Sequence, residues 1–442
     1  MCRQHGDRAR DTKRRHPHAS AGASALMAGA GIVVAGTGQA GYQLAASLRE
    51  LGYEGAITLV GEEPHEPYRR PPLSKTFLAA EASQESLMLR PSAFFRDRRI
   101  TMLPDMKVVG IDRARRQVAL CDGGRLEYDH LALAVGARNR LLPVPGAGRE
   151  GVRYLRSLPE SRALRDLLQG PKLSIIVIGA GFIGLEFAVV ARKLGHGVTV
   201  LEIGDRAMGR AISATCAAYF ASAHRGLGID LRFATAALRI LGEGEHGCVR
   251  AVELTDGVTL PADLVVVGIG VIPNVELAAE AGLATGDGIR VDPYLSTGDP
   301  SVSAFGDCAV FPTPHAGGRQ VRLESVQNAV DQGKSLAARL VGRPAVYEAL
   351  PWFWSDQGAL KLQIAGLSHG SDHEVTRGDP ASGSFSVFRF CGARLIAVES
   401  LNRAGDHVAA RRLLAARAPV SPAQAADLGH DLKAQAHSVS AA

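Results

Sequence analysis

Gly36, Gly38 and Gly41 stand in "GTGQAG" as G-x-G-x-x-G, and Gly179, Gly181 and Gly184 repeat that spacing in "GAGFIG" 143 positions later. Each loop follows a short apolar run, "GIVVA" (31–35) and "SIIVI" (174–178). Each precedes a stretch of helical periodicity that stops at a glycine, Gly52 or Gly195. A second apolar run, "AITLV" or "VTVLE", closes each unit. Strand, glycine turn, helix and strand within roughly 30 residues make a mononucleotide-binding half. The first glycine permits the tight turn, the second lets backbone approach a pyrophosphate, and the third lets helix and strand pack closely. The helix N-terminus then faces the phosphate charge. A chain carrying this plan twice is constrained to an α/β architecture with two Rossmann-like dinucleotide-binding units.

An acid follows each loop at the distance this reading needs. Glu202 ends "VTVLE", 23 residues after Gly179, where a carboxylate can accept both ribose hydroxyls and repel a 2′-phosphate. The second loop is therefore read as selecting NADH over NADPH. Glu62 plays the same part 26 residues after Gly36, with Glu63 as the alternative because Gly61 blurs the register. Two different dinucleotides on one chain suggest FAD and NAD. A flavin beside a nicotinamide accepts hydride and can release electrons singly.

The chain has 442 residues, long enough for several domains, and 46% of them are hydrophobic. No apolar run reaches the roughly 18 residues of a membrane span, so neither a membrane nor a transmembrane role is expected. Residues 1–26 hold six Arg/Lys and two Asp, hence +4 of the net +6. They lack the apolar core of a secretory signal, and their acids argue against a transit peptide. A basic tail alone is weak support for nucleic-acid binding. Residues 1–28 are read as a basic disordered extension, with Met27 as a possible real start. Cysteines 2, 121, 216, 248, 308 and 391 form no C-x-x-C, and no H-E-x-x-H occurs. No metal site and no sequence-adjacent redox pair is expected, and the usage points to a reducing, cytoplasmic compartment.

Between and after the two units the texture is β-rich. Three pieces in 107–135, "KVVGID", "RQVALCDGG" and "HLALAVG", are spaced like a β-meander, and "GCVRAVELTDG" and "TLPADLVVVGIG" follow the second unit. From about residue 346 the chain holds both tryptophans and three antiparallel-looking runs, "KLQIAG", "FSVFRFCG" and "RLIAVESLN". The tail from Ser421 is a short helix candidate.

Beyond the glycine loops, seven segments are more specific: "RRPPLSK" (69–75), "RYLRSL" (153–158), "GAGFIGLE" (179–186), "GIGVIPN" (268–274), "SAFGDCAVF" (303–311), "RLESVQNA" (322–329) and "PWFWSDQ" (351–357). With these the chain resembles the FAD-dependent pyridine nucleotide reductases of the oxygenase-coupled ferredoxin reductase type, from about Gly31 to Lys433. The resemblance implies a glutathione-reductase-like fold. Its FAD-binding domain is discontinuous (29–141 and 273–345), its NAD-binding domain spans 142–272, and a C-terminal α+β domain spans 346–442.

The same resemblance implies roles for single residues. Lys75 matches the lysine beside the flavin, and Glu186 matches the acid near the nicotinamide that can pair with it. Asp307 matches the aspartate that binds the FAD ribitol, and Val326 the residue whose backbone N–H meets the pyrimidine end of the ring. Ala40, Val108, Arg156 and Arg70 match further FAD contacts. Ile183 joins the second-loop glycines on the NAD side, and Trp354 matches an aromatic near the flavin. Disulfide-reducing relatives keep a cysteine pair after the first βαβ unit. Here "RRPPLSK" stands in that place, and no cysteine occurs between Cys2 and Cys121. Prolines restrict the turn, so the lysine can be aimed at the ring, and electrons must leave to an outside acceptor. One departure is Ala134-Val135-Gly136 in place of the usual A-T-G, which puts a backbone-bridging contact in doubt.

The implied activity is electron transfer from NADH through FAD to a small acidic two-iron, two-sulfur ferredoxin that serves an oxygenase. Alternatives are rubredoxin, a quinone or dye, or a flavoprotein that mainly binds or signals. Arg69, Arg70, Arg319, Arg322 and Arg403 are candidate cations for steering an acidic partner, and the chain is expected as a monomer or weak dimer.

Overall fold

The computed structural model describes residues 30–244 and 247–440. The extension expected at 1–28 lies outside the described residues. Ile32–Ala35 is the centre of a five-stranded parallel sheet. Ile57–Val60 and His130–Leu133 flank it, and Ile100–Leu103 and Val302–Ala304 form the edges. Ser174–Ile178 centres a second parallel sheet in the same order. Gly197–Leu201 and Leu264–Val267 flank it, with Asp230–Arg232 and Val152–Tyr154 at the edges. The repeated sequence plan is thus a repeated sheet.

The repeats differ in where the fifth strand comes from. In the second sheet it precedes the unit, as Val152–Tyr154. In the first it comes from Val302–Ala304, far downstream, because the whole second unit is inserted before it. The chain enters and leaves the insert through Ala137–Asn139 and Val271–Pro273, which pair antiparallel. The missing threonine of "AVG" is covered here. Asn274 donates its backbone N–H to the Gly136 carbonyl at 3.0 Å and its side-chain amide to the Val135 carbonyl at 2.8 Å.

One sequence expectation changes. "HLALAVG" does not complete a meander. His130–Leu133 is buried at all four positions and joins the parallel sheet, whereas Gln117–Leu120 alternates half-buried and buried. Continuous burial marks a strand covered on both faces. The meander is completed instead by Arg125–Glu127.

The C-terminal part is a five-stranded antiparallel sheet in the order Trp352–Gln357, Leu360–Gly366, Arg394–Leu401, Ser384–Cys391, His373–Asp379. Helix Ala404–Ala415 buries Ala409, Ala410, Leu413 and Leu414 in a core with Phe388, Phe390 and Val398. The tail forms two helices rather than one, Pro422–Ala426 and Leu432–Ser440. Arg377 holds the break open by donating to the carbonyls of Ala425 and His430 at 3.3 and 3.0 Å. Among the described residues no helix is long and apolar enough to cross a membrane, and no cluster of His, Cys, Asp and Glu fits a metal.

Two buried histidines make stability acid-sensitive. Burial and the nearby Arg339 push His130 from the usual 6.5 down to about 4, and burial with Arg411 does the same to His407. Between those values the unfolded chain binds more protons than the folded one, so their contribution is complete above pH 6.5 and is lost as pH falls toward 4. Each contributes at most about 3 kcal/mol. The thermal midpoint should fall steadily across that window, and less in a His407→Gln variant. A flat profile would contradict this account.

Candidate active site

The three glycines of each loop are required for three different reasons. Gly36 and Gly179 adopt φ of +119° and +107°, which side chains other than glycine rarely adopt. A Cβ on Gly41 would lie 2.0 Å from the Gly36 carbonyl oxygen, and one on Gly184 would lie 2.2 Å from that of Gly179, so helix and turn touch there. The middle positions are different. A Cβ on Gly38 would meet nothing within 4 Å, and one on Gly181 only the Gly268 oxygen at 3.8 Å. Gly38 and Gly181 begin helices Gln39–Glu50 and Phe182–Lys193 with no side-chain cap and no acid in the first turn. Uncapped N–H groups beside open space fit the pyrophosphates of two dinucleotides. Ile183, 44% exposed, stands in the first turn of the second helix.

The downstream acids are placed unequally. Glu202 lies against its own loop, accepting from the N–H of Ala180 and of Gly204, both at 2.8 Å. Glu62 is open, its side chain 70% exposed and 3.1 Å from the Lys107 ammonium. Val108, next to that lysine, opens the meander strand Val108–Asp112 and is buried. Glu63 is committed elsewhere, to Arg70 at 2.6 Å and to the Tyr68 hydroxyl at 2.6 Å. Glu62 is therefore the acid left facing outward.

"RRPPLSK" forms a single 3-10 turn, Pro71–Ser74, with prolines at its first two positions and Lys75 just past its end. Proline fixes φ and offers no N–H to compete. Arg70 anchors the entry, donating to the Tyr68 hydroxyl at 3.1 Å and the Arg156 carbonyl at 2.8 Å. Burial pushes the Tyr68 phenol up, so its hydroxyl stays protonated and donates to Glu63. Ser161 donates to the Leu73 carbonyl at 2.6 Å. The turn is thus fixed from several sides, and Lys75 inherits its aim.

Lys75 meets Glu186. The ammonium is 2.8 Å from Oε2 of a carboxylate on a residue only 3% exposed. Ser74 Oγ donates to the same oxygen at 2.5 Å, and Ser355 Oγ to Oε1 at 2.6 Å. Three distant segments converge here: the proline turn, the second-loop helix and the first C-terminal strand. Phe182 and Phe353 pack beside the junction with ring centroids 4.6 Å apart. Along that strand Phe353 and Ser355 face the helix. Trp352 and Trp354 lie on the other face, rings 5.5 Å apart.

Asp307 sits in the 3-10 turn Gly306–Cys308, 3.3 Å from the Arg156 guanidinium. That turn packs on the first loop: a Cβ on Gly306 would lie 3.0 Å from the Ala40 methyl. Val326 is the first residue of helix Val326–Leu340, capped by the Ser325 hydroxyl. Gln327 next to it accepts from the Trp352 N–H at 3.1 Å, tying this helix to the C-terminal strand. Arg70, Lys75, Arg156, Glu186, Ala40 and Asp307 are linked in one neighbourhood, and Glu62 and Val108 stand together at its edge, Glu62 one residue before the Glu63 that holds Arg70. Sequence reasoning missed Ser74, Ser355 and Tyr68, and offered Glu63 only as an alternative ribose acid, not as the partner of Arg70. Ser355 had a signal, since period-2 alternation in "WFWS" puts it opposite the tryptophans.

Residues 30–333 match the family described as pyridine nucleotide-disulphide oxidoreductase, and residues 352–436 match one described as reductase C-terminal. Rhodocoxin reductase of Rhodococcus erythropolis is 52% identical over 402 residues, covering 91% of this chain and 93% of that protein. The crystal structure of the ferredoxin reductase for the CYP199A2 system from Rhodopseudomonas palustris is 50% identical, with a TM-score of 0.89 over 92% of this chain and 99% of that one. The covalent complex of putidaredoxin reductase with putidaredoxin gives 40% identity and a TM-score of 0.90, covering 93% and 99%. With the duplicated sheet, the paired glycine loops and matches of this span, the chain belongs to the pyridine nucleotide-disulphide oxidoreductase family, which implies FAD and NAD(P)H as its cofactors.

Proposed function

We propose that this chain is a cytoplasmic ferredoxin–NAD(+) reductase that carries electrons from NADH through FAD to a small acidic two-iron, two-sulfur ferredoxin serving an oxygenase. The observation that carries this reading is the Lys75–Glu186 pair at 2.8 Å, at the end of a cysteine-free proline turn where disulfide-reducing relatives keep a dithiol. Bound FAD supplies the chemistry, taking two electrons as hydride and giving them up singly. Lys75 would offer positive charge to the ring, with Glu186 fixing that ammonium beside the nicotinamide. Asp307 and Arg156 would hold the ribitol, and Val326 would offer its N–H to the pyrimidine end. Trp354 would stand near the ring as the resemblance implies, approaching from the face of its strand opposite Ser355. Gly36, Gly38, Ala40 and Gly41 would receive the FAD pyrophosphate, with Arg70, Val108 and Glu62 toward the rest of that cofactor. Gly179, Gly181, Ile183, Gly184 and Glu202 would receive NADH. Residues 29–141 with 273–345 serve FAD, 142–272 serve NADH, and 346–442 complete the site through Ser355. The sequence holds no cysteine pair in or beside this turn to take the electrons, so an outside carrier must.

The relative joined to putidaredoxin supports a protein acceptor. The steering surface is smaller than the sequence suggests. Arg70, Arg322 and Arg403 are paired with Glu63, with Asp287 and Glu324, and with Asp406. Arg69 and Arg319 are exposed and pair with no carboxylate among the described residues. They are the cations left to meet an acidic partner. Anaerobic NADH should bleach the flavin band, and added ferredoxin should restore it. Bleaching without recovery would sink the ferredoxin assignment.

Glu202 also makes a selectivity prediction. Its carboxylate is held at the loop by two N–H groups, so it cannot swing away from a 2′-phosphate without losing both. Repulsion at this range lowers kcat/KM for NADPH about 100-fold relative to NADH. Glu202→Ala should narrow that ratio in dye-reduction kinetics. Equal efficiencies in the unmodified protein would remove Glu202 from this role.

A further inference from the structure

Glu186 is held by more than its lysine. It is a buried carboxylate with three donors on two oxygens. The Lys75 ammonium and the Ser74 hydroxyl meet Oε2, and the Ser355 hydroxyl meets Oε1. A serine hydroxyl has one proton to give. Ser74 lies 2.5 Å from Glu186 and 3.5 Å from the Pro71 carbonyl, so its proton goes to the carboxylate. Ser355 gives its proton to Glu186 and accepts from the Gln357 amide at 3.3 Å. Ser74, Ser355 and Gln357 are all buried, so water cannot replace a lost donor at these oxygens. Without Ser355, Oε1 has no donor, and the carboxylate is free to rotate about its last torsion and draw the lysine with it.

We propose that Ser74 and Ser355 are positioning residues that fix the Glu186 carboxylate, and through it the Lys75 ammonium, for hydride acceptance by the flavin. This rests on the flavin reading above. It gives the C-terminal domain a direct part in the reaction, since Ser355 reaches Glu186 across 169 residues of sequence. Gln357 supports Ser355 from behind. The two serines come from different elements and touch different oxygens, so they act separately on one group.

The test compares the holoenzyme with Ser355→Ala and Ser74→Ala, each at full FAD content and fully folded at the assay temperature. In stopped-flow mixing with NADH, the limiting rate of flavin bleaching should fall about tenfold in each. Half-saturating NADH should stay within about twofold, because neither serine belongs to the nucleotide loop. A second measurement uses no pyridine nucleotide. Dithionite titration should show a lower flavin midpoint potential in both variants, because an ill-placed ammonium stabilises the reduced ring less. Wild-type rate and potential in both variants overturn the proposal. A slower rate with an unmoved potential also overturns it, because it marks the serines as ordinary structural support. If NADH failed to bleach the wild-type flavin, the functional reading would fall, and the dithionite comparison would still decide the positioning role.

Discussion

Lys75→Ala should slow NADH-driven bleaching of the flavin by about two orders of magnitude while FAD stays bound, since removing one preorganised charge at a reacting centre costs that much. FAD retention follows because the loop glycines, Asp307 and Arg156 are untouched by the change. The variant should also be less stable, by about 3 kcal/mol, because Glu186 is left buried without its cation. Those two effects can be separated. The double variant Lys75→Met with Glu186→Gln removes both charges and keeps the volume, so it should regain most of the stability and none of the rate. Stopped-flow bleaching and thermal melts on the three proteins make the comparison. A double variant that recovers rate along with stability would show that the pair is only structural.

The second large effect separates the two glycine loops by function. Gly38 and Gly181 have φ of −70° and −78°, and a side chain added at either points into open space. Gly38→Leu should therefore fold and be colourless, its side chain occupying the place of the FAD pyrophosphate. Gly181→Leu should fold, stay yellow and bleach with dithionite. Its bleaching by NADH should fall more than about 100-fold, because the nucleotide's pyrophosphate cannot approach the backbone. Gly41→Leu is the contrast. Its Cβ would lie 2.0 Å from a backbone oxygen, so it should not yield folded protein at all. Absorbance spectra and melting curves distinguish these outcomes. A yellow, NADH-reducible Gly181→Leu protein would show that the second loop does not bind the nucleotide.

These glycines were legible because their reasons are local: a turn, an approach and a contact within six residues. The two sheets were legible for the same reason, since each strand–helix–strand unit repeats its spacing. What could not be read was pairing over distance. Periodicity made "HLALAVG" a strand but did not say that one neighbour would be Val302–Ala304, 171 residues on. Charge counting marked Arg322 as a docking cation, and folding brought Asp287 and Glu324 against it. Ser355 lies inside the motif "PWFWSDQ", yet its hydrogen bond to Glu186 is visible only once the strand packs on the Glu186 helix. The resemblance placed Lys75 and Glu186 together, and the structure adds the serines bonded to Glu186 and the Tyr68–Glu63–Arg70 brace at the entry to the turn.

The most direct measurement of the account is NADH-dependent reduction of an acidic two-iron, two-sulfur ferredoxin across a salt series, run beside NADH-dependent reduction of a dye. Arg69 and Arg319 are exposed charges, and screening shortens their reach to about 8 Å at physiological ionic strength. Ferredoxin turnover should be fast at low salt and fall as salt rises, while dye turnover, which needs no docked protein, holds steady. Dye reduction with no ferredoxin turnover at any salt concentration would contradict the account and make a small molecule the acceptor.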